Sequence, residues 1–213
     1  MGKNLLQIYE TLFAHYGDLN WWPARSPYEV IVGAILTQNT NWGNVEKAIA
    51  NFEDTLTPEF VANVENDELI SIIKPAGFFN QKASYLKAVT AWFAGYDYDV
   101  AKVQKEPLIK LRAELLSVKG IGQETADSIL LYAFNYLTFV VDAYTHRLCN
   151  RFPIDTGSGY SCVKDYFEKN LPKSTEIYNN FHALIVINGK EHCRKRNPIC
   201  ESCPLGKVCG KSI

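Results

Sequence analysis

The segment that decides the fold is Val118-Lys119-Gly120-Ile121-Gly122-Gln123-Glu124-Thr125-Ala126, which lies between two stretches with helical apolar spacing. Two glycines, two residues apart in a short turn, are typical of a helix-hairpin-helix because glycine permits left-handed backbone and close approach. The helix after Gly122 would point its free N–H groups outward, where they can bind a phosphate without Lys or Arg. An ordinary turn with a C-cap glycine fits the same pattern. The segment therefore predicts paired helices and leaves phosphate binding open.

Helical periodicity continues on both sides of this hairpin. Apolar residues spaced three and four apart recur from Leu5 to Ile185, as in amphipathic helices. Helix start signals stand at Ser26-Pro27, at Thr57-Pro58 and at Pro107. The strand-like run Thr138-Phe139-Val140-Val141 is so short that we interpret it as an extended connector. The sequence therefore predicts an all-α protein of about ten helices.

Composition limits the class of protein. The chain has 213 residues, of which 47% are hydrophobic and 13% aromatic, so it can form one large or two small domains with a buried core. The longest apolar run, Val30 to Leu36, is shorter than the roughly 20 residues that span a bilayer. The N-terminus lacks the apolar region of a signal peptide. We therefore expect a cytoplasmic protein with no membrane partner.

The net charge of −1 does not by itself suggest a partner with negative charge. The distribution is more informative, because residues 190–213 contain six Lys or Arg and only two Asp or Glu. The basic excess is thus concentrated in the C-terminal tail, where it can contact a nucleic acid.

Four cysteines also lie in this tail, with the spacing C-x6-C-x2-C-x5-C: Cys193, Cys200, Cys203 and Cys209. Such clustering in an unsecreted chain indicates a metal site before disulfides. Four thiolates can hold Zn²⁺ or a [4Fe–4S] cluster. Only Cys200 and Cys203 are closely spaced, and the other two cysteines are separated from them by five or six residues. This spacing favours the iron–sulfur cluster, since zinc sites usually combine two closely spaced pairs. A set of disulfides is a third alternative. Cys149 and Cys162 stand apart, and we expect them to be core thiols.

Asp142 follows an apolar run and precedes a stretch with helical spacing. Aspartate is a common N-cap residue, and the helix dipole would keep it ionised. The same position suits an anion that faces a developing sugar cation. From this residue alone, the capping role is the more common of the two.

In their order and distances, these features resemble the endonuclease III superfamily of DNA glycosylases. The resemblance covers essentially the whole chain and rests on Leu36-Thr37-Gln38-Asn39-Thr40, on the hairpin, on Val141-Asp142 through Arg147-Leu148-Cys149-Asn150-Arg151, and on the cysteine tail. It implies two helical domains with a DNA groove between them. Residues 21–134 would form a six-helix domain with the hairpin, and residues 1–20 plus 135–213 a cluster domain.

The resemblance also implies roles for individual residues. Asp142 would be the catalytic carboxylate, and Gln38 would fill the gap left by a flipped nucleotide. The hairpin would bind DNA, and the tail would hold a [4Fe–4S] cluster. The implied partner is double-stranded DNA with a damaged base, bound by a monomer. The DNA-binding set is Gln38, Gly120, Gly122, Gln123 and Glu124, and the cluster ligands are Cys193, Cys200, Cys203 and Cys209.

Two departures from the family pattern narrow the expected activity. Bifunctional members carry a lysine two residues after the second hairpin glycine, where this chain has Glu124. A carboxylate cannot form a Schiff base, so we expect a monofunctional glycosylase. Only four residues follow Cys209, which fits poorly with the adenine glycosylases that carry a further recognition domain. Tyr144 replaces the usual family histidine, and the sequence gives no functional interpretation of that change.

The run Trp21-Trp22-Pro23, together with Trp42, looks like the 3-methyladenine DNA glycosylases of this superfamily, in which such residues line the base pocket. Without the resemblance, adjacent tryptophans more often pack in a core. The expected reaction is hydrolysis of the N-glycosidic bond of an alkylated purine, 3-methyladenine first and 7-methylguanine second. The alternatives are a mismatch thymine or uracil glycosylase and a non-catalytic damage-binding protein.

Overall fold

The computed structural model describes residues 5–152 and 154–210, and within these ranges it contains helices and no β-strand. The all-α class is therefore confirmed, with twelve α-helices where about ten were expected. A 3₁₀ turn covers Lys74–Ala76 and a π-helical segment covers Ile129–Ala133. The α-helices are α1 Leu5–Tyr16, α2 Pro27–Leu36, α3 Trp42–Ala50, α4 Pro58–Asn63, α5 Asn66–Ile73, α6 Phe79–Ala94, α7 Val100–Val103, α8 Leu108–Ser117, α9 Gln123–Ser128, α10 Ala143–Arg151, α11 Tyr160–Asn170 and α12 Thr175–Glu191.

The helix starts read from the sequence are confirmed. Ser26 Oγ accepts a hydrogen bond from the Glu29 N–H at 3.1 Å at the start of α2. Thr57 caps α4 in the same way. In both helices a proline occupies the first position, where no intrahelical N–H is needed. The run Thr138–Val141 has no strand pairing, as expected for a connector.

Helix α9 does not continue as an α-helix along its apolar stripe. It widens into the π-helical segment, and the chain after that segment is closed by a hydrogen bond from the Tyr136 N–H to the Leu130 carbonyl at 2.9 Å. The wider turn buries Ile129, Leu130, Leu131 and Ala133 together. Such single-turn π segments are rare within helices and often lie near functional sites.

The chain divides into two compact units, and the first is a continuous stretch, Ala24–Tyr136. Its centre is α2, which is buried from Tyr28 to Leu36 and packs against the π-helical segment, α6 and α3. Lys82 of α6 is also buried, and its Nζ donates to the carbonyls of Leu36 and Ala76 at 2.8 Å each. Burial lowers the pKa of Lys82 to about 8. This unit contains the hairpin.

The second unit comprises the described residues up to Pro23 and from Leu137 onward. Here α12 is the central helix and packs against α1 and α10. Aromatic rings fill its core, with Phe139 stacked on Phe167 at 4.5 Å and both in contact with Phe181. Cys149 is a buried thiol, as expected, but the prediction for Cys162 is wrong, because this residue lies on the exposed side of α11.

No helix among the described residues is both long enough and apolar enough to cross a membrane.

Candidate active site

The hairpin between α8 and α9 needs glycine at position 120. Gly120 has a φ of +86°, and a Cβ there would lie 2.2 Å from Cγ of Tyr85. Gly122 differs, since its backbone is extended (φ −94°, ψ −178°) and an added Cβ would meet nothing within 4 Å. Nothing within the described chain therefore requires glycine at position 122, which lies on the exposed side of the turn.

A buried ion pair holds the two hairpin helices together. Arg112 of α8 donates from Nε to Oδ1 of Asp127 at 2.9 Å and from Nη2 to Oδ2 at 3.0 Å. The Asp127 side chain is completely buried. No side chain caps the start of α9, and Gly122, Gln123 and Glu124 are exposed there. The first turn of α9 is therefore exposed at the surface.

Gln38 is attached to the hairpin. Its Nε2 donates to the carbonyl oxygen of Gly120 at 3.0 Å and to Oγ1 of Thr125 at 3.1 Å. The side chain is half-buried and follows directly after the turn that ends α2. The structure thus brings together Gln38 and the predicted hairpin residues, which are 82 positions or more apart in sequence.

Asp142 is the N-cap of α10 and forms a capping box with Thr145. Oδ1 accepts from the Thr145 N–H at 2.7 Å and from Thr145 Oγ1 at 3.0 Å, while the Asp142 N–H faces Oγ1 at 3.4 Å. Oδ2 lies 3.6 Å from Nε2 of His182, and the Asp142 side chain is only 12% exposed.

The carboxylate of Asp142 is ionised despite its burial. Burial by itself would raise the pKa of the acid, but His182 and the two Thr145 donors outweigh it and hold the pKa below its usual value. A buried anion at a helix N-terminus is also stabilised by the dipole of that helix. His182 is the residue that the sequence analysis missed. Its only signal was a histidine inside an otherwise apolar helical stripe.

The tryptophans of the expected base pocket are distributed over both units. Trp21, Trp22 and Pro23 belong to the second unit, whereas Trp42 is the first residue of α3 in the first unit. Trp22 has a left-handed backbone with a φ of +55°, a strained conformation for a bulky residue. The ammonium of Lys190 lies 5.6 Å from the ring centroid of Trp21, and the buried Nε1 of Trp21 has no hydrogen-bond partner among the described residues.

The four tail cysteines lie on loops that follow α12. Gly206 allows the tight turn between Cys203 and Cys209, since a Cβ there would lie 2.7 Å from the carbonyl oxygen of Cys200. None of the four thiols is in a disulfide. Burial raises the pKa of the Cys203 thiol, and the nearby thiols of Cys193, Cys209 and Cys200 raise it further. The thiol of Cys203 therefore lies near the other three thiols of the tail.

Two arginines of α10 donate hydrogen bonds to Cys193, the first of the four tail cysteines. Arg151 donates from Nη1 to Sγ of Cys193 at 3.1 Å, and Arg147 donates from Nε to the carbonyl oxygen of the same cysteine at 2.6 Å. The Arg147 guanidinium also lies over the ring of Tyr144 at 4.7 Å, which gives Tyr144 a packing role. Free thiols with a cationic donor suit a metal that binds thiolates. In residues 5–152 and 154–210, however, no three His, Cys, Asp or Glu side chains are already arranged as a ligand group.

Comparisons with known proteins identify the family of this chain. The profile of the HhH-GPD superfamily of base excision DNA repair proteins matches residues 32–173. The chain is 51% identical over 211 residues to "Putative DNA repair glycosylase MJ1434" of Methanocaldococcus jannaschii, with 96% of this chain and 95% of the relative covered. It is 29% identical to endonuclease III of Sulfolobus acidocaldarius, with 87% and 82% covered.

Among solved structures, the 3-methyladenine DNA glycosylase MagIII of H. pylori, bound to 1,N6-ethenoadenine, is similar with a TM-score of 0.78. It is 26% identical, and the match covers 89% of this chain and 98% of that one. The family profile covers about two thirds of the chain, and the relative from M. jannaschii is matched over nearly its whole length. The chain belongs to the HhH-GPD superfamily of base excision DNA repair proteins.

Proposed function

We propose that this protein is a monofunctional DNA glycosylase that hydrolyses the N-glycosidic bond of an alkylated purine, with 3-methyladenine as the first substrate. The observation that carries the proposal is the buried, ionised carboxylate of Asp142 at the start of α10, with one oxygen fixed by Thr145. The similarity to a 3-methyladenine DNA glycosylase supports the choice of substrate class.

The chemistry of the bond explains why a carboxylate is needed. As the base leaves, the sugar develops positive charge as in glycoside hydrolysis, and a fixed anion stabilises that charge. An alkylated purine is a better leaving group than a normal base because it is cationic or electron-poor. The site therefore needs little acid catalysis, and Asp142 would also orient the attacking water. The product is an abasic site.

We assign DNA docking to the hairpin. The exposed turn at Gly122 would let a phosphate approach the first N–H groups of α9, which is consistent with a glycine that the chain itself does not require. Phosphate contacts of this kind position the duplex without reading its sequence. The basic residues at the start of the tail, Lys190, Arg194, Lys195 and Arg196, would add electrostatic attraction.

An exposed aromatic residue of the same unit is a further candidate for DNA contact. Phe78 directly precedes α6, is 60% exposed and has a left-handed backbone with a φ of +47°. Two residues of the same helix contact the hairpin: Ser84 accepts from Lys119 Nζ at 3.1 Å, and Tyr85 lies beneath Gly120. We propose that Phe78 contacts the DNA from the hairpin side of this unit.

Base flipping exposes the target bond, and we propose that Gln38 occupies the vacated space. Its hydrogen bonds to Gly120 and Thr125 hold it beside the hairpin before DNA binds, and the side chain would leave them to enter the duplex. Flipping costs a few kcal/mol and less for a base that pairs poorly, which favours damaged over normal nucleotides.

The flipped base would stack on tryptophan. An electron-poor ring gains about 0.5–2 kcal/mol from an indole face. Lys190 stands on one face of Trp21, so a base would use the other face or the ring of Trp22. Trp42 lies in the other unit and is therefore tested by its own variant.

We further propose that Cys193, Cys200, Cys203 and Cys209 hold a [4Fe–4S] cluster. Four free thiols with Arg151 beside Cys193 fit a thiolate-bound cluster. Bound there, the cluster would fix the loops of the basic tail. The chain's own contribution is the tight turn at Gly206 and the positive charge of Arg151.

The decisive experiment measures base release under single-turnover conditions from duplexes that contain 3-methyladenine, 7-methylguanine, uracil or a T·G mismatch. We expect fastest release of 3-methyladenine. Asp142→Asn should lose release by about 10²–10³-fold, and Trp22→Ala and Trp42→Ala should each lose roughly ten- to a hundred-fold. Binding of undamaged duplex should not change. Faster release of a pyrimidine would identify a mismatch glycosylase, and binding without any release would identify a damage-binding protein.

A further inference from the structure

His182 is a buried histidine on the central helix of the second unit. It lies in α12 between residues that are also buried, among them Tyr178, Phe181 and Ile185. Its own side chain is 7% exposed. A leucine would fill such a position in an apolar helix at lower cost, because an imidazole needs polar partners when it is buried. The residue type therefore points to a partner of matching chemistry.

That partner is the carboxylate of Asp142. Helix α12 packs directly against α10, and Nε2 of His182 faces Oδ2 at 3.6 Å. The other oxygen, Oδ1, is already bound by two Thr145 donors. Oδ1 therefore contacts Thr145 in the cap of α10, and Oδ2 faces His182 on α12. Contacts at both oxygens restrict the rotation of the carboxylate.

We propose that His182 is a positioning residue for Asp142, which orients Oδ2 and keeps the carboxylate anionic at the moment when the sugar develops its charge. The inference rests on the proposed function of Asp142 as the catalytic carboxylate. At 3.6 Å the two atoms stand slightly beyond hydrogen-bond distance, and contacts of this kind commonly shorten when substrate binds. The role is comparable to that of residues that hydrogen-bond to a metal ligand and orient it. Removal of such residues typically lowers activity or metal affinity ten- to a hundred-fold.

A positioning role predicts that removal of His182 lowers the rate of bond cleavage and leaves the affinity for DNA unchanged. His182 is buried and belongs to neither the hairpin nor the basic tail, so removing it should leave the affinity for DNA within about two-fold. Single-turnover base release should fall roughly 10- to 100-fold in His182→Ala. His182→Gln keeps an N–H donor and should recover a measurable part of the rate.

A double-mutant cycle with Asp142→Asn provides the main test. Positioning acts only through the carboxylate, so His182→Ala should cost little further rate once Asp142 is Asn. His15→Ala, an exposed histidine change on α1, serves as the matched control and should retain the wild-type rate. Circular dichroism and urea unfolding of each variant show whether it is folded.

A spectroscopic measurement makes the test independent of any activity. The imidazole resonances of His182, assigned by their absence in His182→Gln, should show a proton on Nε2 whose shift moves upfield in Asp142→Asn. An unchanged shift would overturn the proposal, and so would a folded His182→Ala with the wild-type rate, or an equal loss in the two backgrounds of the cycle. Full base release by Asp142→Asn would instead refute the catalytic role of Asp142 on which this inference rests, whereas no release by the wild-type protein would refute the proposed function itself.

Discussion

Gln38 donates to the carbonyl oxygen of Gly120 at 3.0 Å, and this hydrogen bond joins the turn after α2 to the helix-hairpin-helix. The same amide nitrogen reaches Thr125 at 3.1 Å. Two segments that are far apart in sequence are thus held together at the surface proposed to meet DNA. The bond couples the residue expected to fill the vacated space to the residues expected to hold the backbone.

Replacing Gln38 by Ala should therefore affect both stability and flipping. Two lost hydrogen bonds cost about 1–3 kcal/mol of unfolding free energy, since each contributes about 0.5–1.5 kcal/mol. Fluorescence of 2-aminopurine placed opposite the lesion reports the opening of the pair, and its change should be reduced. Gln7→Ala, at an exposed position of α1, should alter neither measurement. Normal opening with Gln38→Ala would contradict the assigned role.

Stability should depend on pH through Asp142. The fold lowers its pKa, so its ionised form stabilises the protein above the unfolded pKa of about 3.9, and this contribution is lost as the pH falls through the folded pKa. Asp142→Asn removes the titration and keeps a capping oxygen. Urea unfolding from pH 7 to pH 2.5 should therefore show a difference between wild type and variant that is greatest above about pH 4 and shrinks below it. A difference that grows on acidification would contradict the lowered pKa.

Arg112→Met should destabilise the protein strongly. It leaves Asp127 as a buried carboxylate without its bidentate partner, which typically costs about 3–5 kcal/mol. The double variant Arg112→Met/Asp127→Leu should recover much of that loss because no charge remains buried. Lys102→Met breaks an exposed ion pair with Asp97 and should cost no more than about 1 kcal/mol. Equal losses of unfolding free energy in Arg112→Met and Lys102→Met would show that burial does not make the Arg112–Asp127 pair more important for stability.

The enzyme should cleave abasic DNA poorly. Glu124 is exposed in the first turn of α9 and offers no amine for a Schiff base. Borohydride should trap little protein on DNA with an abasic site, and Glu124→Lys should trap more. Lys119→Ala removes the neighbouring hairpin amine. Strong trapping by wild type that survives Lys119→Ala would show that another amine acts as a lyase nucleophile.

Purified protein should carry iron and sulfide. The expected signature is a yellow-brown colour with absorbance at about 400 nm, as for clusters bound by four thiolates. Cys203→Ser should lose the colour and lower the unfolding temperature, because a metal site contributes to folding. Cys162→Ser changes an exposed cysteine outside the tail and should retain both. A colourless protein that contains one zinc per chain would show that the four cysteines bind zinc and not an iron–sulfur cluster.

The sequence by itself determined where the helices lie and which residues cap them. Apolar spacing predicted the helices, and the caps at Ser26 and Thr57 were readable because capping depends on adjacent residues. The N-cap at Asp142 was readable for the same reason. The hairpin was recognised from two glycines, although only the structure showed that Gly120 is fixed by its φ and by Tyr85, whereas Gly122 is not.

The tertiary structure decided which distant groups meet. His182 and Asp142 are forty positions apart, and their contact arises from the packing of α12 on α10. The bonds of Gln38 to the hairpin and of Arg112 to Asp127, the π-helical turn after α9 and the exposure of Cys162 arise in the same way. Local periodicity and capping depend on neighbours along the chain, and a sequence displays them directly. The partner of a buried polar group depends on how whole helices pack, which no local pattern records.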